Sequence, residues 1–167
     1  MARRSDIEAL TPGLRRYARG LTGAFDIADD LTQDAILSGL RSGGMGRGPA
    51  LKRRLYAILT DFNRMRVAAL ADSDAYGEES RGVVTPFSRG VAGETAPAVD
   101  LSPLALLTLA EREAILLVAI EGFDYPDAAD IIGVSRPALI ARLARARGEG
   151  APNADRNGGR RHLRVVS

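Results

Sequence analysis

Residues 124–147 read DYPDAADIIGVSRPALIARLARAR, and this stretch decides the fold class. Asp124 and Ser135 are residue types that cap helix N-termini, and each is followed by apolar residues at helical spacing. Gly133 lies between the two patterns, where it ends the first helix. The stretch therefore predicts a short helix, a tight turn at 133–135 and a second helix of about twelve residues, which is a helix-turn-helix.

The second helix of this motif is basic. A helix held by such a turn can lie in the major groove of DNA, where arginine contacts phosphates and base edges. The alternative is a plain helical hairpin with solvated arginines. The residues predicted to contact DNA here are Ser135, Arg136, Arg142, Arg145 and Arg147.

The rest of the chain is also helical in pattern, with no alternating strand. Three helical patterns precede residue 71: one after a Ser5 cap with a bend at Thr11-Pro12, one capped by Asp26, and one from Pro49. Residues 71–100 are instead rich in Gly, Ser, Pro and acid, which is a linker composition. We predict an all-α protein of two small helical domains, 5–70 and 101–148, with a flexible linker at 71–100 and a disordered tail at 149–167.

The third helix has the clearest amphipathic pattern in the sequence. Its predicted buried stripe is Leu51, Leu55, Ile58, Phe62, Met65 and Ala69. Arg53, Ala57, Thr60 and Arg64 should lie opposite, with Lys52 and Arg66 on the flanks. Such a face can neutralise the phosphates of a nucleic acid, so Lys52, Arg53, Arg64 and Arg66 are predicted DNA contacts, although a solvated basic face would have the same pattern.

The second helix has apolar residues on two sides. Ile27, Leu31 and Ala35 form one stripe, whereas Ile36, Leu37 and Leu40 lie on the other side among acidic residues. A three-helix unit has little material to cover a second face, so this face is predicted to bind an arginine-rich helical partner. The alternative is a helix packed within its own domain with its acids solvated.

The composition excludes several classes of function. The chain has no cysteine and a single histidine, so neither a thiolate nucleophile nor a Cys-based or His-rich metal site is expected, and no cofactor is predicted. No pair of residues with catalytic spacing stands out, so the chain is not expected to be an enzyme. It has no run of about 18 apolar residues and no signal-peptide stretch, which predicts a cytoplasmic protein without a membrane span.

The net charge of +2 is unevenly distributed. Residues 1–70 carry +5, residues 71–100 carry −4 and residues 101–167 carry +1. All but one of the 23 cations are arginine. Arginine suits bidentate contacts to phosphate or carboxylate, although a GC-rich genome would give the same bias.

Several motifs together resemble extracytoplasmic-function (ECF) sigma factors. The C-terminal promoter-binding domain of that family is resembled by 112–117 (REAILL), 121–125 (EGFDY), 127–135 (DAADIIGVS) and 141–147 (ARLARAR). Residues 14–19 (LRRYAR) and 28–35 (ADDLTQDA) are similar to the first helices and the core-polymerase-binding helix of the family's N-terminal domain. Both groups of motifs occur in the family's order, on either side of the predicted linker.

The resemblance implies a sigma factor that directs promoter-specific initiation of transcription, with a role in stress response. It implies that domain 5–70 binds the β′ coiled coil of core RNA polymerase and the downstream promoter element. Domain 101–148 would bind the other promoter element. An anti-sigma factor is a further implied partner, and the implied polymerase contacts are Asp29, Asp30, Gln33, Asp34 and Leu37.

The sequence departs from the family at several positions. Arg54 stands where the family usually has tryptophan, Thr60-Asp61 where it has an Arg-Asn pair, and Pro137 and Ile140 where small or polar residues are frequent. These departures favour an alternative: a sigma mimic, like the sigma-like domains of anti-anti-sigma regulators, that sequesters an anti-sigma factor without binding promoter DNA. The retained acidic residues at 29–34 favour the sigma factor, because a mimic does not need to bind polymerase.

Overall fold

The computed structural model describes residues 2–43, 46–74 and 102–148, and every regular element in these ranges is helical. The predicted all-α class is thus confirmed. The N-terminal half, 2–74, contains α1 (Ala2–Thr22), α2 (Phe25–Arg41) and α3 (Gly48–Asp74). The C-terminal half, 102–148, contains a 3-10 turn (Ser102–Leu106), α4 (Leu109–Ile115), a π-helical turn (Leu116–Ile120), α5 (Tyr125–Ile132) and α6 (Arg136–Ala146). The predicted tail and most of the predicted linker lie outside the described residues.

The first two helices begin earlier than their sequences predicted. α1 starts at Ala2 rather than after Ser5, and it runs through Pro12 without a break. Pro12 is exposed, so the carbonyl group that it leaves unpaired can bind water. α2 begins at Phe25 without a side-chain cap, which places Asp26 in its first turn. There the carboxylate favours the helix through the helix dipole.

In the C-terminal half, α5 and α6 begin and end where the sequence predicted. Thr108 Oγ1 accepts a hydrogen bond from the Glu111 N–H at 3.3 Å, and the Glu111 carboxylate accepts the Thr108 N–H at 3.0 Å, forming a capping box. Asp124 and Ser135 cap α5 and α6 by accepting backbone N–H groups at 2.8 and 3.3 Å. Gly133 has a φ of +70°, a backbone conformation that glycine adopts without strain, and it ends α5.

One helical turn is wider than the rest. In Leu116–Ile120 the backbone follows a π-helix, and the N–H of Glu121 binds the carbonyl of Leu116, five residues before it, at 2.9 Å. Such a turn holds one residue more than an α-helical turn and is frequent at functional sites. It lies where the C-terminal half meets α1.

The two halves share one continuous apolar core. α1 and α3 contact α4, α5 and the π-helical turn. The aromatic rings of Tyr56 and Phe123, one from each half, meet edge to face with centroids 4.9 Å apart. Leu116 and Leu117 are fully buried in the same core as Tyr17. The sequence predicted separate domains at 5–70 and 101–148, and it did not predict that these would lie against each other.

This packing changes the buried face of α3. Leu51 and Leu55 are buried as predicted, but Met65 is 60% exposed and Ala69 is exposed. Thr60, which was predicted to face outward, is fully buried and lies 2.8 Å from the Tyr17 hydroxyl. The prediction was wrong at these three positions, because the buried face of α3 follows Tyr56, Thr60 and Asn63 and turns Met65 and Ala69 outward. The end of the helix extends to Asp74, four residues into the range predicted as linker.

Candidate polymerase-binding and nucleic-acid interfaces

The outer face of α2 combines acidic and apolar side chains. The opposite face is buried against α1 and α3 through Ala28, Leu31, Thr32, Ala35 and Gly39. Leu37 and Leu40 are 40% and 45% exposed. The residues predicted to contact polymerase are all exposed, and Asp29 pairs with Arg15 of α1 at 3.2 Å; they are Asp29, Asp30, Gln33, Asp34 and Leu37.

A groove of about 400 Å³ lies between α2 and α3 beside this face. Arg66, which was predicted to contact DNA, lines the groove together with Asp30, Asp34 and apolar side chains. Its Nη2 donates to Asn63 Oδ1 at 3.2 Å, and burial lowers the pKa of its guanidinium. Arg66 therefore lies apart from the other predicted DNA contacts of α3.

Arg64 of α3 is held by a buried carboxylate of the C-terminal half. Its Nε and Nη2 donate to the two carboxylate oxygens of Glu113 at 2.8 and 2.6 Å, and Nη2 also donates to the Ile132 carbonyl at 3.1 Å. The Glu113 side chain is only 1% exposed. The hydrogen bond to Glu113 raises the pKa of Arg64. This guanidinium, predicted to contact DNA, is thus occupied in this structure.

The two other predicted cations of α3 also contact the C-terminal half. Arg53 Nη1 lies 2.7 Å from an Asp127 carboxylate oxygen. Lys52 Nζ lies 4.3 Å from the centroid of the Phe123 ring and 3.4 Å from the Glu121 carbonyl oxygen. Lys52, Arg53 and Arg64 therefore lie along one seam between the halves.

A second buried carboxylate, that of Glu121, joins the halves through α1. Arg16 donates to both of its oxygens, and the Tyr56 hydroxyl donates to Oε2 at 2.7 Å. Burial, followed by the charge of Glu121, raises the pKa of Tyr56. The sequence contained no signal for the roles of Glu113, Glu121 or Arg16, because their partners are distant in the chain.

The predicted DNA contacts of α6 are only partly free. Leu139 and Leu143 bury one side of the helix, and Ser135, Arg136, Arg145 and Arg147 are exposed on the other. Arg145 Nε lies 3.6 Å from a Glu111 oxygen. Arg142 is half-buried, and its Nη1 lies 3.8 Å from Glu113 Oε2. DNA contact by these residues stays a prediction.

Neither a metal site nor a membrane-spanning helix is found in the described ranges. In 2–43, 46–74 and 102–148 no group of three or more His, Asp or Glu residues is arranged to hold a metal ion. Within the same ranges, none of the helices has the length and apolar character that crossing a membrane would require.

The sequence has curated relatives with a named function. The chain is 33% identical over 150 residues to the ECF RNA polymerase sigma factor EcfG of Rhodopseudomonas palustris, a match that covers 86% of this chain and 80% of that protein. The chain belongs to the ECF sigma factor family. The ECF sigma factor SigM of Mycobacterium tuberculosis is another relative, 34% identical over 137 residues that cover 80% of this chain and 67% of SigM.

Solved structures of sigma factors and sigma-like proteins share the fold of this family member. Sigma factor RpoE of Bartonella quintana, solved in complex with the anti-sigma factor NepR, matches with a TM-score of 0.66 and 28% identity over 87% of this chain and 92% of that one. The PhyRSL–NepR complex of Sphingomonas sp. Fr1 matches in fold, with a TM-score of 0.59 and 24% identity over 98% and 100% of the two chains. Residues 104–149 match the family model of the sigma-like domain of the response regulator PhyR.

Proposed function

We propose that this chain is an ECF sigma factor that binds core RNA polymerase and directs promoter-specific initiation of transcription. The observation that carries the proposal is the exposed face of α2, where the carboxylates of Asp30 and Asp34 precede the exposed Leu37. Carboxylates followed by an apolar side chain suit a basic amphipathic helix, because the charges are complementary and the leucine offers apolar contact. The proposed occupant is the coiled coil of the polymerase β′ subunit.

The basic residues of both halves support a role in holding promoter DNA. Arg136 and Arg147 are exposed on α6, where guanidinium groups can bind phosphates or guanine bases. Lys52, Arg53, Arg64 and Arg66 are the cations that α3 would offer to the downstream promoter element. Such a role belongs in the cytoplasm, where the polymerase works, and requires no reaction by the chain itself.

An anti-sigma factor is the regulator that the relatives suggest. RpoE of Bartonella quintana, with 28% identity to this chain, was solved in complex with one. We propose that a protein of the NepR kind binds this chain and withholds it from polymerase.

A second candidate function is a sigma mimic that binds an anti-sigma factor and neither polymerase nor promoter. The match of residues 104–149 to the PhyR sigma-like domain favours it. The replacement of the family's Arg-Asn pair also favours it, since Thr60 is buried and Asp61 is acidic. The exposed acidic face of α2 favours the sigma factor.

Purified core polymerase distinguishes the two functions. The sigma factor should co-elute with core enzyme in gel filtration and, with genomic fragments as template, give run-off transcripts with defined start sites. A mimic would bind a NepR-type protein but would neither join core enzyme nor support transcription. Failure of the wild-type chain to bind core polymerase would overturn the proposal.

A further inference from the structure

A short stretch of the sequence has no part in the proposed function. Residues 156–167, here called the basic segment, read RNGGRRHLRVVS. They carry four arginines and no acidic residue, and Leu163, Val165 and Val166 add apolar side chains. The basic segment lies outside the described residues. Its composition suits a surface that combines carboxylates with apolar side chains.

The groove between α2 and α3 is such a surface. Asp30 and Asp34 line it and outweigh the charge of Arg66, its one cation. Within 2–43, 46–74 and 102–148 neither carboxylate forms an ion pair. The remaining lining residues are apolar: Ile27, Leu31, Phe62 and Met65. The groove therefore offers an occupant two carboxylates beside an apolar surface.

A buried donor at the same groove favours an occupant with a peptide backbone. Nε of Arg66 and Nδ2 of Asn63 are buried and have no hydrogen-bond partner among the described residues. Asn63 is fully buried, and its Oδ1 accepts a hydrogen bond from Arg66 Nη2 at 3.2 Å. A buried donor without an acceptor is costly, so an occupant that brings an oxygen to this point is favoured. The carbonyl groups of an extended chain segment supply such oxygens at regular intervals.

The basic segment can reach this groove from the end of α6. Gly148 and Arg160 are twelve positions apart, and an extended chain of that length spans about 40 Å. A domain of the size of the described residues, which share one core, measures about 35 Å across. A tether of this length gives an effective concentration of about 1 mM. A contact with a dissociation constant of about 0.1 mM would therefore be made about nine-tenths of the time.

We infer that residues 160–166 bind the groove between α2 and α3 in the free chain, and that they cover the face proposed to bind polymerase. The arginines face Asp30 and Asp34, and Leu163 contacts the apolar lining. Core polymerase then has to displace the segment before its coiled coil can bind. This competition rests on the proposed function, whereas the contact within the chain does not.

Two variants of the full-length chain test the charges. The segment variant removes three cations from the basic segment: Arg160→Ser, Arg161→Ser and Arg164→Ser. The control variant removes three exposed arginines that have no part in a proposed interface: Arg4→Ser, Arg47→Ser and Arg54→Ser. Both variants lower the net charge by the same amount. Circular dichroism checks that each is folded.

The first measurement locates the basic segment by NMR. The chain has no cysteine, so Ser167→Cys carries a nitroxide label at a single site. The label broadens the amide signals of residues that lie near it. In the free chain the signals of residues 30–37 and 62–66 should be broadened more than those of α5. The segment variant should lose this difference, and the control variant should keep it.

An exchange of charges tests which groups meet. Asp30→Arg combined with Asp34→Arg should abolish the broadening at the groove. Adding three opposite changes in the basic segment should restore it: Arg160→Glu, Arg161→Glu and Arg164→Glu. A mixture of isotope-labelled chain with spin-labelled chain that lacks the isotope should show no broadening, because the contact lies within one chain.

The second measurement is the affinity for core polymerase. The segment variant should bind core enzyme about tenfold more tightly than wild type, because no segment has to be displaced. The control variant should bind with the affinity of wild type. Equal affinities in wild type and the segment variant would overturn the competition with polymerase.

The outcomes separate this inference from the proposed function. If the label broadens no signal at the groove, or does so equally in the segment variant, the inference is wrong and the proposed function is unaffected. Broadening in the mixed sample alone also overturns it, since the contact would then join two chains. If the contact is found but neither wild type nor the segment variant binds core polymerase, the proposed function is wrong and the contact within the chain stands.

Discussion

The guanidinium of Arg16 binds the carboxylate of Glu121 through two parallel hydrogen bonds, although 105 residues separate them in the chain. The distances are 2.7 Å from Nε to Oε1 and 2.9 Å from Nη2 to Oε2. The Glu121 side chain is only 2% exposed. Its charge is therefore compensated only while α1 and the C-terminal half remain in contact.

Removal of Arg16 should destabilise the protein. In Arg16→Ala the buried Glu121 carboxylate keeps the Tyr56 hydroxyl as its side-chain donor and loses its counter-charge. We expect the free energy of unfolding to fall by about 2 kcal/mol, measured by urea denaturation. Arg4→Ala is the control, because Arg4 pairs with Glu8 at an exposed site and its loss should have almost no effect. Equal losses in the two variants would contradict this account of the seam.

The protein should lose stability in alkali. Burial raises the pKa of both Tyr17 and Tyr56 above the ordinary value of 10.0. The unfolded chain then releases these protons at lower pH than the folded chain, so stability is complete below pH 10 and falls above it. The expected slope is up to about 1.4 kcal/mol per pH unit for each tyrosine. Urea denaturation at several pH values should show that the free energy of unfolding falls less steeply with pH in Tyr17→Phe than in wild type. An equally steep fall in the variant would refute the assignment of this pH dependence to Tyr17.

Charge reversal on the exposed face of α2 should weaken polymerase binding. In Asp30→Arg a cation replaces a carboxylate in the face proposed for the basic β′ coiled coil, so we expect at least a tenfold loss of affinity for core enzyme. Glu8→Arg makes the same change at an exposed position of α1 and should bind core normally. Fluorescence anisotropy with labelled protein measures both. Equal losses of affinity in Asp30→Arg and Glu8→Arg would show that net charge, and not this face, determines binding to core enzyme.

Loss of two arginines from the end of α6 should weaken DNA binding. Arg145→Ala combined with Arg147→Ala removes two exposed cations, and the slope of log affinity against log salt should fall by about 2. Arg4→Ala combined with Arg41→Ala removes two exposed cations elsewhere and should leave the slope near that of wild type. If both pairs give the same result, α6 has no special role in binding DNA.

The sequence predicted the local structure of the C-terminal half well, because that structure depends on near neighbours. The caps at Asp124 and Ser135 and the turn at Gly133 each involve residues within a few positions of one another. The inward face of α2 was also predictable from helical spacing, since Leu31 and Ala35 lie four residues apart on one side of the helix and both are buried.

The contact between the halves could not be predicted in this way. Whether Thr60 or Met65 of α3 is buried depends on which neighbour covers the helix, and helical spacing does not contain that information. The same holds for Glu113 and Glu121, which resemble ordinary surface carboxylates until their arginine partners, 49 and 105 residues away, are known. The occupation of Arg64 at the seam follows from the same long-range packing.

The number of residues in the π-helical turn at Leu116–Ile120 determines how Glu113 and Glu121 are oriented relative to each other. Two positions eight residues apart in a regular α-helix differ in direction by about 80°. The additional residue in this turn alters that angle, and Glu113 and Glu121 both reach arginines of the N-terminal half. A deletion of one residue here would rotate Glu121 and every helix after it relative to α4, so the spacing between the two carboxylates is itself a determinant of which surfaces the protein presents.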